Sequence, residues 1–365
     1  MIQLAKPVIN EEATKLVNEV IVSGQVAQGP MVERLEEAFR SYCGTRYAVA
    51  VNSGTAALHC ALHALGLSKG DEVITSPFTF IATANAVLMQ GARLRFADIE
   101  EETFGISIDA VQAEINKSTK VILPVSLYGL PYNQKINDIA KDHDLLVVDD
   151  ASQAIGASVA GVRTGSLADV TTFSLYATKN IISGEGGIIT TDDLAVAKKC
   201  RRFRHHGFDQ RTKTYEELGY NYRMSDLHAA LGVGQMMILE ELTQKRINNA
   251  HRLSEGLDGV SGIVLPKHSS ENRHVYHQYT IRVTQAHRLG RDKLQQYLLK
   301  NGVQSGVYYA KPLHLYGHFK MQGSAQGLFP NAERAANEVL SLPVHPFVSE
   351  SEIETITKLI RDGSK

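Results

Sequence analysis

Between residues 47 and 191 short β-rich runs alternate with helical stretches, and that alternation most constrains what the chain can become. The runs are YAVAVNS (47–53), DEVITS (71–76), RLRFADI (93–99), KVILPVS (120–126), DLLVVDD (144–150), VTTFSL (170–175) and GGIITT (186–191). Helical stretches such as AALHCALHALGL (56–67) and TANAVLMQGA (83–92) separate them. KVILPVS and DLLVVDD are almost continuously apolar, as strands are when helices cover both faces of a mostly parallel sheet. The expected fold class is therefore α/β, with a mostly parallel central sheet flanked by helices.

Two amphipathic helices are expected before this region, over 11–23 and 31–42, the second stopped by Gly44. After it, the helical pattern SDLHAALGVGQMMILEELTQKRINNAHRLSEGL begins near 225 and is long enough to run from one domain into the next. YHQYTIRV (276–283), a helix near 290–301, VQSGVYY (303–309) and helices near 332–340 and 349–362 then suggest a smaller α+β domain. A chain of 365 residues exceeds the usual single-domain size. The expected division is a large domain over 1–255, including the connecting helix, and a small one over 256–365.

Composition narrows the function. Thirty-eight basic and 39 acidic residues give a formal charge of −1, so no global basic field points to nucleic acid. No apolar run approaches the roughly 20 residues of a membrane span. The start, MIQLAKPVINEE, has neither the basic head nor the apolar core of a signal peptide. Cys43, Cys60 and Cys200 are widely spaced, without a C-x-x-C, and read as reduced, mostly buried thiols of a cytoplasmic protein.

Open α/β sheets bind ligands beyond the carboxyl ends of their strands, and three polar clusters fall there. In VNSGTAALHCALHALGL (51–67) a β-rich run passes into Ser53-Gly54-Thr55 and a helix starts at once. Backbone N–H groups, a glycine, a hydroxyl and a positive helix end suit a phosphate. Taken alone, the stretch reads better as a plain helix N-cap. The second cluster, Asp149-Asp150-Ala151-Ser152-Gln153, follows LLVV. Adjacent residues of a strand face opposite ways, which argues against a shared carboxylate dyad. No His/Glu set at ligand spacing accompanies them, so no metal is expected. One carboxylate is free to hold a cationic ring while the other caps or pairs.

The third cluster is Lys179, just past VTTFSL and ahead of Gly184-Glu185-Gly186-Gly187. It is either a solvated loop lysine or an amine whose pKa falls on burial, able to form a Schiff base with a carbonyl. Walker, G-x-G-x-x-G and G-x-S-x-G motifs are absent. Together the clusters ask for a phosphate, a cationic ring and a carbonyl. Pyridoxal phosphate satisfies all three.

On these residues the chain resembles the DegT/StrS-type sugar aminotransferases, a family of fold-type I pyridoxal-phosphate enzymes. The likeness runs in register through NSGTAAL (52–58), SPFTFIATANAV (76–87), LPVSLYG (123–129), VVDDASQAIGA (147–157), FSLYATKNIISGEGGIITT (173–191), RHHG (204–207), GYNYRMSDLHAALG (219–232), YYAKPLH (308–314) and LPVHP (342–346). The resemblance implies that Lys179 is the Schiff-base lysine, that Asp150 partners the pyridine nitrogen and that Gln153 lies beside the ring. It implies phosphate binding by Gly54, Thr55 and Ser174, and stacking of Phe80 on the ring. Asn221 would reach the phosphate of a neighbouring subunit, so a homodimer would complete the site. Arg223, Tyr309 and His314 would lie near a sugar-nucleotide pocket. The activity implied is transfer of an amino group from L-glutamate, less often L-glutamine, to a keto group of a nucleotide-linked sugar. The GEGG stretch resembles members acting at C-4 more than at C-3.

Two positions depart from the family pattern: Ser126 stands where histidine is common, and Lys135 falls where an acidic residue is frequent. Two rival expectations accompany the main one. The first is amination of a cyclic polyol ketone, and the second a silent regulatory relative, against which Lys179 and Asp150 argue.

Overall fold

A computed structural model describes residues 1–319 and 325–364. The chain enters through α1 (Glu11–Ser23) and α2 (Pro30–Cys43). The Asn10 side chain accepts the Ala13 amide and so caps α1. Then come β1 (Tyr47–Val51), α3 (Gly54–Ala64), β2 (Glu72–Thr75), α4 (Ile81–Met89), β3 (Arg93–Phe96), α5 (Ile108–Glu114), β4 (Thr119–Leu123), α6 (Lys135–Asp142) and β5 (Leu146–Asp150). Strands β6 (Val170–Ser174) and β7 (Gly187–Thr191) complete one seven-stranded sheet, ordered β1-β7-β6-β5-β4-β2-β3. Strand β7 pairs antiparallel with both β1 and β6, and the remaining pairs are parallel. Six strands therefore run one way and end on one edge.

Helices cover both faces, which is why β4 and β5 read as unbroken apolar runs. On one face α3 buries Leu58 and Leu62 against the sheet and α7 (Leu194–Phe203). On the other, α2 buries Leu35 and Phe39, with Phe39 5.6 Å from the Phe173 ring of β6. Each such side chain contributes about 1.5–3 kcal/mol.

The single helix expected from 225 onward is two helices, α8 (Asp226–Met236) and α9 (Leu239–Leu257). Ile238 leaves helical geometry at φ −112° and ψ 4°. Each helix has its own packing partner: α8 lies tightly on α1, whereas α9 presents a separate buried stripe to the later sheet and the last helix of the chain. That sheet holds β8 (Ile263–Val264), β9 (Tyr279–Val283) and β10 (Val339–Leu342), all antiparallel in that order. Helices α10 (Gly290–Lys300), α11 (Pro330–Glu338) and α12 (Glu350–Ser364) surround it.

VQSGVYY is not a strand. It makes isolated bridges, Ile2 with Val303 and Gly306 with Ser341. The place beside β9 is taken instead by Val339–Leu342, four apolar-rich residues directly after α11 that the pattern merged into the helix. A run that short has no period of its own to read. No described helix is long and apolar enough to cross a membrane, and the three cysteines are free and buried.

Candidate active site

The strand ends meet in register. Gly187 of β7 lies opposite Val51 of β1 on one side and Ser174 of β6 on the other. A Cβ at Gly187 would stand 2.3 Å from the Ser53 carbonyl oxygen, so the close approach of the α3 entry to the sheet needs glycine there. Gly54 is held the same way: its Cβ would lie 2.9 Å from the Ser174 Cβ. Ser53 accepts the Ala56 amide at 3.1 Å and serves as the N-cap. The N-cap and anion readings of this stretch are thus compatible: Ser53 caps, while Gly54, Thr55 and Ser174 line a cavity of about 680 Å³.

Asp150, the last residue of β5, lines the same cavity. Its carboxylate accepts the Thr83 hydroxyl at 2.7 Å and the Ser152 amide at 3.2 Å. Asp149 faces the other way, as alternation requires. Its Oδ1 accepts the Ser126 hydroxyl at 2.9 Å, its Oδ2 has no partner, and complete burial pushes its carboxyl well above the usual carboxylate range.

Lys179 stands in the turn after β6, where its amide donates to the Tyr176 carbonyl at 2.9 Å. The side chain is half-buried and lines the cavity. Desolvation by the surrounding protein brings its amine down to about 8, opposed by the Asp150 charge. A lysine at this value holds a usable fraction of free amine near neutral pH.

Gln153, Phe80 and Tyr309 also line the cavity. The Gln153 Oε1 accepts the Tyr128 amide at 2.7 Å and its Nε2 donates to the Tyr309 hydroxyl at 3.3 Å. Phe80 is 57% exposed, its ring 6.4 Å from that of Tyr309, so an aromatic face is open towards the cavity mouth. Three expected residues lie outside this lining. Asn221 is exposed, and its carbonyl accepts from the Asn52 side chain at 3.2 Å. Arg223 meets the His205 Nδ1 at 2.5 Å. His314 is buried, its Nε2 3.2 Å from Glu333 and its ring edge-on to Phe329.

The residues fit pyridoxal phosphate on their own chemistry. A helix start cradled against Ser174 suits the phosphate, a carboxylate with two donors suits the ring nitrogen, and a depressed lysine suits the aldehyde. Comparison with known proteins agrees. The DegT/DnrJ/EryC1/StrS aminotransferase family model matches residues 7–361. The chain belongs to this family.

Its relatives include the UDP-N-acetyl-3-dehydro-alpha-D-glucosamine 3-aminotransferase of Acidithiobacillus ferrooxidans, 36% identical over 97% of this chain and 94% of that one. The UDP-4-amino-4-deoxy-L-arabinose–oxoglutarate aminotransferase of Shewanella sediminis is 32% identical over 98% and 97%. Among solved structures, S. venezuelae DesV in complex with a ketimine intermediate aligns with a TM-score of 0.92 and 33% identity, over 97% of this chain and 94% of that one. DegT-family enzymes are pyridoxal-phosphate-dependent aminotransferases, and this chain is one of them.

Within the family pattern, the Ser126 departure goes with packing behind the site. Its hydroxyl donates to Asp149 and also accepts the Tyr132 amide at 3.2 Å. Lys135 is exposed at the start of α6 and lines a different groove. The residue pattern passed over several residues in the cavity wall or directly behind it. Thr83, in the first turn of α4, has its hydroxyl 3.0 Å from that of Thr79, which lies just before the helix. Asn180 and His277 touch through Oδ1 and Nδ1 at 3.2 Å, a pairing across 97 positions that carries no local signal. Arg246 was legible in principle, as the one arginine in the buried stripe of α9.

Proposed function

We propose that this DegT-family enzyme aminates a keto group of a nucleotide-linked deoxy sugar with L-glutamate as donor, at C-4 rather than C-3. The observation that carries the reading is the meeting of Lys179, Asp150 and the α3 entry in one cavity at the carboxyl edge of the sheet. Relatives support the substrate class through their names, which include both 3-amino and 4-amino positions and, in one case, oxoglutarate. The C-4 preference rests on the Gly184-Glu185-Gly186-Gly187 stretch alone.

When bound, pyridoxal phosphate supplies an electron sink for negative charge at the donor's α-carbon. The protein's share is to hold and to move protons. Gly54, Thr55 and Ser174 would hold the phosphate, and Asp150, steadied by Thr83 and Ser152, would keep the ring nitrogen protonated. Phe80 would cover the ring and Gln153 would flank it, since both line the cavity. Lys179 would accept a proton at Nζ in one direction and return it in the other; an amine near 8 suits both tasks. The reaction divides into two half-reactions, with 2-oxoglutarate leaving before the sugar ketone enters. Arg223, Tyr309 and His314 belong to the sugar-nucleotide side.

The working unit is a cytoplasmic homodimer in which Asn221 of one copy reaches the phosphate held by the other. Support comes from the exposed Tyr215 and Leu218 on the segment that carries Asn221. The two-domain division near residue 255 is part of the same reading.

The test begins with borohydride after adding pyridoxal phosphate, which should fix the cofactor on Lys179. A panel of 3-keto and 4-keto nucleotide sugars and inososes follows, with L-glutamate or L-glutamine. Expected is parallel-line kinetics and a 4-amino sugar nucleotide identified by NMR. An obligatory ternary complex, or turnover of an inosose only, would overturn it.

A further inference from the structure

Arg246 is the cation that the site does not explain. It lies in the inward stripe of α9, is 7% exposed, and lines the cavity that holds Lys179. Among the described residues it makes no ion pair. Its recorded hydrogen bonds run from one terminal nitrogen to the Tyr276 and His277 carbonyls, both at 3.4 Å and long for N–H···O. Its Nε is fully buried and has no partner. Burial lowers the guanidinium to about 10, which still leaves it charged at neutral pH. A buried, charged, under-used guanidinium is costly unless an anion completes it. The cavity's own carboxylates, Asp150 and Glu185, do not pair with it.

The position limits the anion. Arg246 donates to the backbone of His277, whose ring meets Asn180, the residue after Lys179. The guanidinium therefore belongs to the wall beside the reactive amine. The anion cradle of Gly54, Thr55 and Ser174 is a separate wall, built by strand ends. An amino acid carries its α-carboxylate one carbon from the nitrogen that Lys179 serves, so its recognition group has to stand close to Lys179. A nucleotide diphosphate is separated from a keto carbon by the sugar ring and needs recognition farther out.

We infer that Arg246 holds the α-carboxylate of the amino donor through its fork of N–H donors. This rests on the reading that the donor is an amino acid such as L-glutamate, and it is independent of which sugar accepts the amine.

The experiment follows the first half-reaction of the cofactor-loaded enzyme by absorbance, without sugar, in wild type, Arg246→Gln and Arg246→Lys. The donors are L-glutamate, L-glutamine and the α-amide of L-glutamate. In wild type, L-glutamate should be preferred over its α-amide on the order of 100-fold. Arg246→Gln should weaken L-glutamate by a similar factor and bring that preference close to 1, while Arg246→Lys retains part of it. Damage to packing alone would lower both donors together and leave their ratio. A ratio unchanged in Arg246→Gln, or in Arg246→Lys if the former fails to fold, overturns the assignment. So does a loss that appears only with the nucleotide sugar. A wild-type protein inert to both L-glutamate and L-glutamine overturns the donor reading and this inference with it, an outcome distinct from a converting wild type whose variants keep their discrimination.

Discussion

Replacing Lys179 by methionine should make the cofactor-free protein more stable, although it abolishes activity. Burial takes the amine from an ordinary value of 10.5 to about 8. At about 1.4 kcal/mol per tenfold, that depression corresponds to about 3 kcal/mol of unfavourable charging in the folded state. The sign follows from linkage. Between pH 8 and 10.5 the unfolded chain binds more protons at this lysine than the folded one, so stability rises with pH through that window. Below pH 8 wild type carries the full cost and the methionine variant none, and above 10.5 the cost has gone. Methionine keeps the length of the side chain and removes the charge, and Asp150 retains the Thr83 hydroxyl and the Ser152 amide. Cofactor-free Lys179→Met should therefore exceed wild type by about 2–3 kcal/mol near pH 7, with the gap closing towards pH 10.5. Thermal and urea unfolding of both proteins from pH 6.5 to 10.5 measures it. A gap that is absent at pH 7, or that does not shrink as pH rises, refutes the argument that burial depresses this amine.

Other perturbations test the scaffold around the site. Gly54→Ala places a methyl 2.9 Å from the Ser174 Cβ, so overpacking of about 1–3 kcal/mol should part α3 from β6; equilibrium dialysis should show cofactor affinity at least ~10-fold weaker. Thr83→Val keeps the shape but removes the donor to Asp150, and should lower kcat/KM by about 10-fold, with Thr83→Ser restoring most of it. Asp226→Ala removes the acceptor of the Gly29, Met31 and Val32 amides at the start of α2, and should cost about 1–3 kcal/mol in urea unfolding with KM unchanged.

Much of the architecture was legible because it is periodic. The seven strand runs of the first 191 residues all appear in the sheet, shifted by a few residues at most, since two-sided burial leaves a continuous apolar signature that survives any detail of packing. The roles of Asp149 and Asp150 divided as alternation along a strand demands. Where the pattern failed, local information was missing. VQSGVYY has the composition of a strand, but Val339–Leu342 occupies the place beside β9. The helix from 225 to 257 divides because α8 and α9 pack on different neighbours, a fact of tertiary contact.

The site shows the same boundary. Lys179, Asp150 and Ser53-Gly54-Thr55 announce themselves by residue type at strand ends, and their order along the chain was enough to ask for one ligand. What residue order could not decide was which side chains are satisfied. Asp226 caps α2 across 194 to 197 positions, and Arg223 turns to His205, pairings that no neighbouring residue announces. Arg246 could be any helix arginine until its burial and its partnerless Nε are seen. Strand and helix periods are written in neighbouring residues, so the sequence by itself determined the layers and the cofactor they can hold. Hydrogen-bond and charge balance is settled between residues far apart in the chain, so only the tertiary structure decided which cation was left for a ligand.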